Sequence, residues 1–404
     1  MVFVASAAVR AAFTSVPTFH TRSSRPTSPT SRQPFRARTA FFAPLRPRLT
    51  AVTPPRLRAS ASGASDTAKP LPSQQQQQQQ PPDVQPVAKK VNRFKVGLYI
   101  LLWYAFNIVY NISNKRVLNW FPVPWFVSWV QLLVGVLYVL PIWALRLRRA
   151  PTVPKQVLKT MLPISLGHIV GHVSTVVSLG AVAVSFTHVV KSMEPFVNVV
   201  GSAFFLNSVF PLPVYLSLLP VVTGVVMASV SEVSFTWLGF LSAMTSNFAF
   251  TARNLFSKLS MNKPKGKNMD PANLFAVLSI MSTILLAPVA LIIDHPAKLM
   301  SAWNTATVGA AAVVTAPKLM LYIFISGLFF YLYQEVAFKA LDSVHPITHA
   351  VANTVKRVVI IVTSVFVFQN PITKANALGS SVALLGVLLY SVTKNYFPEK
   401  KRSA

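Results

Sequence analysis

Two adjacent cations, Lys356 and Arg357, lie near the middle of an apolar segment at residues 347–368. The segment is about as long as a membrane-spanning helix, so its centre is too far from either end for these side chains to reach the interface easily. Cations at that depth are costly, and they are tolerated where they face a polar cavity and meet an anion. The pair therefore predicts a pore or carrier whose cargo is an anion.

Further polar side chains fall at the same depth in other apolar segments. Lys191 is a third cation, and Glu194 is expected on the same helical face, where it would partly neutralise Lys191. His168, His172 and Thr175 recur at the spacing of one helical face. We interpret His168 as a packing histidine and the other two as candidate ligands.

Two residues in later segments extend this set. Tyr333 lies deep in the eighth apolar segment, where a ligand role and a structural role are both open. Arg253, in the sixth, is interpreted as a gate or a salt-bridge partner rather than a ligand. Lys115, Lys258 and Lys394 lie near the predicted ends of helices and are interpreted as interfacial anchors.

The charge of the cation cluster indicates which anion suits it. Lys191, Lys356 and Arg357 less one acid leave about two positive charges, and a phosphate monoester carries about −1.5 to −2 at neutral pH. Arginine offers phosphate a planar fork and lysine a point charge. The imidazole, hydroxyl and phenol groups named above can donate to the remainder of the ligand.

Several classes of site have no signature in the sequence. It has no cysteine, no P-loop, no Gly-rich dinucleotide turn and no cluster of acids. We therefore expect no metal, no cofactor and no nucleic-acid partner. No pair of acids indicates proton coupling, so the exchange of one phosphate compound for another is the simplest source of energy.

The elements that must position these groups are membrane helices. The chain has 404 residues, 52% hydrophobic and 12% charged, with a mean hydropathy of +0.50. This composition is typical of a polytopic membrane protein. We predict ten apolar spans, with approximate limits 96–118, 124–146, 158–181, 184–207, 213–231, 236–258, 271–293, 316–341, 346–369 and 373–395. An even number places both termini on one side of the membrane, and the basic loops fall on that same side. The positive-inside rule assigns this side to the compartment equivalent to cytoplasm, which in a plastid is the stroma.

The spans repeat in order. Gly224-Val-Val-Met-Ala-Ser-Val-Ser231 matches Gly386-Val-Leu-Leu-Tyr-Ser-Val-Thr393, Thr187-His188 matches Thr348-His349, and Asn111-Ile-Ser-Asn-Lys115 resembles Asn254-Leu-Phe-Ser-Lys258. Each half has five spans, an odd number, so the second half enters the membrane from the opposite face. This predicts two inverted five-helix repeats, at 95–234 and 235–397, with a binding site near the midplane.

The two ends of the chain have a different composition. The first sixty residues hold ten arginines and no acid and are rich in Ser, Thr, Pro and Ala, which predicts a plastid transit peptide at 1–59 with cleavage near Ala59. A mitochondrial presequence and a disordered cytosolic tail are the alternatives. Residues 60–94, with the run from Gln74 to Gln80, are predicted to be a disordered linker, and residues 398–404 form a basic tail.

Three segments closely resemble the plastid phosphate translocators of the drug/metabolite transporter superfamily. They are Val184-Ser-Phe-Thr-His-Val-Val-Lys-Ser-Met-Glu-Pro-Phe196, Ser242-Ala-Met-Thr-Ser-Asn247 and His349-Ala-Val-Ala-Asn-Thr-Val-Lys-Arg-Val358. The resemblance runs from about residue 95 to 396. It implies a ten-helix all-α membrane fold and strict exchange with inorganic phosphate across the inner envelope membrane. It also implies that phosphate is held by Lys191, Lys356 and Arg357, with neutral contacts from Thr175, His172 and Tyr333.

The resemblance leaves the sugar open. His172 stands where the phosphoenolpyruvate type usually has Asn, and Thr348-His349-Ala-Val looks like the triose-phosphate type. Lys191-Ser-Met and the segment from Pro211 look more like the glucose 6-phosphate type. Tyr331 and Glu335 depart from a His and a Gln of the family. We expect triose phosphate and 3-phosphoglycerate, with glucose 6-phosphate, pentose phosphate or phosphoenolpyruvate as the alternative.

Two rivals come from other readings of the same residues. A membrane-embedded hydrolase or transferase would need a nucleophile, a general base or a metal set. Neither clustered acids nor a His–Ser–Asp arrangement occurs at membrane depth, so we expect no enzyme. A nucleotide-sugar antiporter of the same fold would be expected to lack the transit peptide and to need room for a base.

Overall fold

The computed structural model describes residues 93–205, 208–260, 266–309, 312–343, 346–397 and 400–401. The predicted transit peptide, residues 60–92 of the predicted linker, and residues 398–399 and 402–404 of the predicted tail lie outside the described residues. The first helix begins at Arg93, so the last two residues of the predicted linker, 93 and 94, are helical.

The described chain is helical apart from one pair of two-residue strands. In the hydrocarbon core a backbone has no water to bond, so helices satisfy its polar groups internally. The elements are α1 Arg93–Trp120, α2 Pro124–Ala144, α3 Lys155–Ala181, α4 Val184–Lys191, α5 Glu194–Phe205, β1 Ser208–Val209, α6 Leu212–Leu216, α7 Leu219–Val230, α8 Trp237–Leu259, α9 Pro271–Ile293, α10 Pro296–Thr307, α11 Ala316–Ser343, α12 Pro346–Phe368, α13 Lys374–Tyr396 and β2 Lys400–Lys401. We call the side where α1 begins and α13 ends the terminus face, and the opposite side the far face.

Proline marks several of these helix starts. Pro124, Pro271, Pro296 and Pro346 each occupy the first position of a helix. The missing amide proton of proline has no partner to lose in a first helical turn, and its fixed φ suits that position. The predicted starts of the second, seventh and ninth spans, at residues 124, 271 and 346, therefore coincide with prolines that begin helices.

Eight of the described helical segments are long and apolar enough to cross a membrane. They are Phe94–Trp120, Pro124–Ala144, Lys155–Ala181, Leu212–Val230, Pro271–Ile293, Ala316–Ala340, Val351–Phe368 and Lys374–Tyr396. The fourth predicted span is not among these eight, because the helix breaks between α4 and α5 into pieces of 8 and 12 residues. The sixth, α8, has 23 residues but carries many polar ones, of which Ser246, Asn247 and Thr251 are buried.

Close contacts between helices organise the bundle. Helix α3 packs along α8, and α1 packs along α11. Helices α7 and α13 cross so closely that a Cβ on Gly224 would lie 2.7 Å from the carbonyl oxygen of Gly379. A Cβ on Gly379 would lie 2.5 Å from the amide nitrogen of Ala228. Small residues permit such contact between backbones, and it replaces the hydrophobic effect as the source of helix association in lipid.

Polar contacts join the loops at each face. At the terminus face Thr152 forms an antiparallel bridge with Lys267, and Arg148 forms an ion pair with Glu335. At the far face the amides of Trp125 and Phe126 each donate to Asp294 at 3.0 Å.

No span is predicted between the seventh and eighth spans. The structure has α10 there, at Pro296–Thr307, and it packs Trp303 against Phe121 with the ring centroids 6.3 Å apart. At 12 residues it is too short to span a bilayer, so a search for spans passes over it.

Candidate functional site

A cavity of about 780 Å³ lies among α1, α3, α4, α5, α8, α9, α11 and α12, and Lys394 of α13 also lines it. All eight residues predicted as ligands or as gate and pathway residues line it, namely His172, Thr175, Lys191, Glu194, Arg253, Tyr333, Lys356 and Arg357. His168 is fully buried behind the lining residues, as its interpretation as a packing residue requires. The fold therefore brings the predicted residues together, while their roles remain predictions.

The break between α4 and α5 places Lys191 and Glu194 in the cavity. Lys191 is the last residue of α4, and Glu194 is the first of α5. Pro195 follows in the first turn of α5, where it cannot donate the bond that would continue α4. The expectation that Lys191 and Glu194 share one helical face is therefore wrong. Glu194 instead accepts a hydrogen bond from Arg357 Nη2 at 2.7 Å, forming an ion pair.

Lys191 is held by two hydroxyl groups. Its ammonium donates to Ser246 Oγ at 2.6 Å and to Thr175 Oγ1 at 3.2 Å. The two hydroxyl oxygens are 2.7 Å apart. Ser246 was not singled out in the sequence, although it lies within the Ser242–Asn247 segment that carries the family resemblance. Its position one helical turn before Phe250 and two turns before Arg253 is the signal that could have found it.

An aromatic ring supports two of the cations. Lys191 Nζ lies 4.7 Å from the ring centroid of Phe250, and Arg253 Cζ lies 4.8 Å from it. The ring rests on bare backbone, because a Cβ on Gly171 would come within 2.7 Å of it. Cation–π attraction stabilises a positive charge without neutralising it. Arg253 also contacts His168, with Nη1 3.3 Å from Nδ1.

The adjacent cations of α12 have different neighbours. Lys356 Nζ lies 4.7 Å from the ring centroid of Trp103, which the sequence analysis did not identify. Arg357 is 6% exposed. Its Nη2 donates to Glu194, while its Nη1 has no hydrogen-bond partner in the described part of the chain. A buried guanidinium donor without a partner is costly, so this atom is a ready contact for an anion.

The remaining predicted ligands lie across the cavity. Tyr333 packs against Tyr110, with the ring centroids 5.3 Å apart, and His172 packs against Phe330 at 4.1 Å. His172 Nε2 is buried and has no hydrogen-bond partner among the described residues. His188, which also lines the cavity, lies 3.0 Å from Asn111 through its Nε2 atom and that residue's Oδ1.

The lining is therefore cationic and otherwise neutral. Lys191, Arg253, Lys356, Arg357 and Lys394 contribute positive charge, and Glu194 is the acid among the described lining residues. Within the ranges that the structure describes, no group of three His, Cys, Asp or Glu residues is placed to hold a metal ion. The arrangement can bind an oxyanion by charge-assisted hydrogen bonds and return it unchanged.

Comparisons with known proteins agree with this chemistry. Residues 94–391 match the family described as the Triose-phosphate Transporter family. The chain is 43% identical over 306 residues to the chloroplastic triose phosphate/phosphate translocator of Brassica oleracea var. botrytis, covering 76% of this chain and 73% of that one. The corresponding protein of Pisum sativum is 43% identical over 308 residues, covering 76% and 74%. The chloroplastic glucose-6-phosphate/phosphate translocator 2 of Arabidopsis thaliana is 40% identical over 309 residues, covering 76% and 78%.

Proposed function

The chain belongs to the Triose-phosphate Transporter family, and from this premise we propose that it exchanges triose phosphate or 3-phosphoglycerate for inorganic phosphate across the inner envelope membrane of a plastid. The family is one of transporters, so the rival reading as a hydrolase or transferase is rejected. The observation that carries the proposal is the convergence of Lys191, Lys356 and Arg357 on one cavity.

The charges of the cavity support this choice of substrate. Lys191, Arg253, Lys356 and Arg357 less Glu194 leave about three positive charges, and Lys394 is a fifth cation in the lining. A phosphate monoester supplies about −1.5 to −2, and the carboxylate of 3-phosphoglycerate adds one more negative charge. Phosphate would take the free Arg357 Nη1 and the two lysines. The three-carbon end would then face the neutral donors Tyr333 and His172, with Arg253 beside them.

A hexose phosphate is the second candidate. Its support is the 40% identity to a relative named as a glucose-6-phosphate/phosphate translocator, which is close to the 43% of the triose phosphate relatives. In this chain the Lys191-Ser-Met segment, which forms the break after α4, also looks like that type. Both candidates place phosphate on the same cations and differ in what the rest of the cavity must accept.

We further propose that ten segments cross the membrane as two inverted repeats. The two segments beyond the eight long apolar helices would be the broken pair α4 and α5 and the polar helix α8. The packing of helices supports this count. If spans one to five correspond to spans six to ten, the contact of α3 with α8 becomes the contact of α11 with α1, and both are extensive.

Uptake into proteoliposomes tests the function. We expect the full chain, reconstituted in liposomes loaded with inorganic phosphate, to take up labelled triose phosphate and 3-phosphoglycerate at least about tenfold faster than glucose 6-phosphate, phosphoenolpyruvate or a nucleotide sugar. A Lys318→Met variant, which alters a lysine outside the cavity, is the matched control. Faster uptake of glucose 6-phosphate would select the second candidate. Uptake of the nucleotide sugar alone would refute both.

Targeting tests the proposed location. Residues 1–90 fused to a soluble reporter should enter isolated plastids and be cleaved near Ala59, because the segment is rich in Arg and Ser and poor in acids. Immunoblots of import reactions measure the size and protease protection of the product. A fusion with its ten arginines changed to glutamine should remain outside. Import into mitochondria, or an uncleaved product in the cytosol, would contradict the plastid assignment.

A further inference from the structure

Lys115 makes contacts that an interfacial anchor does not need. Near the far end of α1, its ammonium group donates to the carbonyl oxygens of Leu179 and Val182 at 2.8 and 2.9 Å. The carbonyl oxygen of Gly180 is 3.5 Å away. Helix α3 ends at Ala181, so these carbonyls belong to the last turn, whose oxygens lack partners within the helix. A lysine there also meets the negative end of the helix dipole. Lys115 thus joins the far ends of α1 and α3.

The cavity lies on the other side of this junction. Asn111 is the last residue of α1 that lines the cavity, so the far end of this helix does not contribute to the lining. In α8, by contrast, the lining continues to Asn254 and Ser257, near the end of the helix at the terminus face. Beyond the cavity the path towards the far face is filled. Asn114 is fully buried there and accepts a hydrogen bond from Gln131 Nε2 at 2.7 Å. The structure is therefore a state in which the far half is closed and the terminus half is hollow.

The internal repeat relates the two halves. Residues 111–115 of α1 match residues 254–258 of α8. By this match Asn114, buried in the closed half, corresponds to Ser257, which lines the cavity. Lys115 corresponds to Lys258, near the end of α8 at the terminus face.

The partner carbonyls of Lys115 have counterparts as well. The match of 187–188 with 348–349 places residues 179–182 on residues 340–343. Those are the last residues of α11, which ends at Ser343. The end of α11 therefore corresponds to the end of α3, at Ala181. Helix α1 packs along α11, and α3 packs along α8. By the same repeat, the end of α8 corresponds to the end of α1.

We propose that Lys115 and Lys258 are the alternating latches of the transport cycle. Lys115 closes the far face in the state described here. In the opposite state its contacts break, and Lys258 closes the terminus face by donating to the carbonyl groups at the end of α11. Because equivalent bonds are exchanged, neither closed state is strongly favoured, which an exchanger working in both directions requires. This inference rests on the proposed carrier function.

The absence of cysteine allows a direct test. Asn114→Cys and Ser257→Cys, introduced singly into the full chain, report access to the far half and the terminus half through labelling by a membrane-impermeant maleimide. Labelling is measured without substrate in liposomes with the reagent on one side or the other. Adding Lys115→Met should raise the labelling rate at position 114 and lower it at 257, changing their ratio by about tenfold or more. Lys258→Met should shift the ratio in the opposite direction.

Controls separate a latch from an anchor. Lys115→Arg keeps a cationic donor and should leave the ratio close to that of the parent reporters. Lys318→Met removes a far-face lysine that lies over Trp120, at 5.9 Å from its ring centroid, and should leave it unchanged. Lys115→Gln replaces the methionine variant if thermal unfolding shows that the latter does not fold.

The outcomes are distinct. An unchanged labelling ratio in a folded Lys115→Met or Lys115→Gln protein would overturn the proposal and leave Lys115 as an anchor. An unchanged ratio in folded Lys258→Met would overturn the symmetrical exchange of latches. Labelling requires no substrate, so a shifted ratio without phosphate exchange would instead count against the proposed function alone.

Discussion

Replacing Arg357 with alanine is expected to lower phosphate exchange at least about a hundredfold while the protein remains folded. Arg357 is 6% exposed, and its Nη1 has no partner in the described ranges. A charge-assisted hydrogen bond to phosphate contributes on the order of 1.5–3 kcal/mol, or more where water is excluded. The change also leaves Glu194 without its ion-pair partner in the cavity, where it would repel the substrate.

The measurement is exchange of labelled phosphate in proteoliposomes, with thermal unfolding as the check on folding. Arg357→Lys should also fail, since a point charge cannot serve Glu194 and phosphate as a planar fork does. Lys318→Ala, which removes a cation outside the cavity, should exchange normally. Near-normal exchange by the Arg357→Ala protein would remove the basis for assigning phosphate to this cluster.

Liposomes loaded with phosphate should take up labelled phosphate about a thousandfold faster than empty ones. In the empty carrier, Lys191 and Lys356 are stabilised by hydroxyl groups and aromatic rings, none of which carries negative charge. Closing the cavity around them removes water, and each uncompensated ion then costs several kcal/mol. A difference of about 4 kcal/mol in the barrier slows the empty transition by roughly that factor.

The comparison is made at equal external phosphate, with initial uptake rates measured in both preparations. Dissipating proton and sodium gradients should leave the loaded rate unchanged, because the lining supplies no acid pair for coupling. Liposomes without protein give the leak. Equal rates in loaded and empty liposomes would identify a uniporter or channel, and the cation cluster would then need another explanation.

Hydropathy and charge in the sequence predicted the charged residues of the cavity, but not the neutral side chains that contact them. Lys191, Lys356 and Arg357 are conspicuous because a cation inside an apolar segment is costly wherever the chain folds. Phe250, Trp103 and Ser246 were not identified, because an aromatic or serine side chain in such a segment is ordinary. What makes them part of the site is a neighbour from another helix, which spacing along one helix does not reveal.

The helical breaks were missed for a related reason. The segment 184–207 is mostly apolar despite Lys191 and Glu194, and hydropathy does not distinguish one long helix from two short ones. Pro195 was the local signal, but a proline in a membrane helix is compatible with a bend as well as a break. Beyond the break, Glu194 forms an ion pair with Arg357.

The crossing of α7 and α13 has a mechanical consequence. Where Gly224 and Gly379 bring two backbones into direct contact, no flexible side chain lies between them to absorb sliding or tilting. We therefore expect α7 and α13 to move as one rigid pair. Neither glycine lines the cavity, so the contact restricts relative motion of α7 and α13 without involving the ligand site.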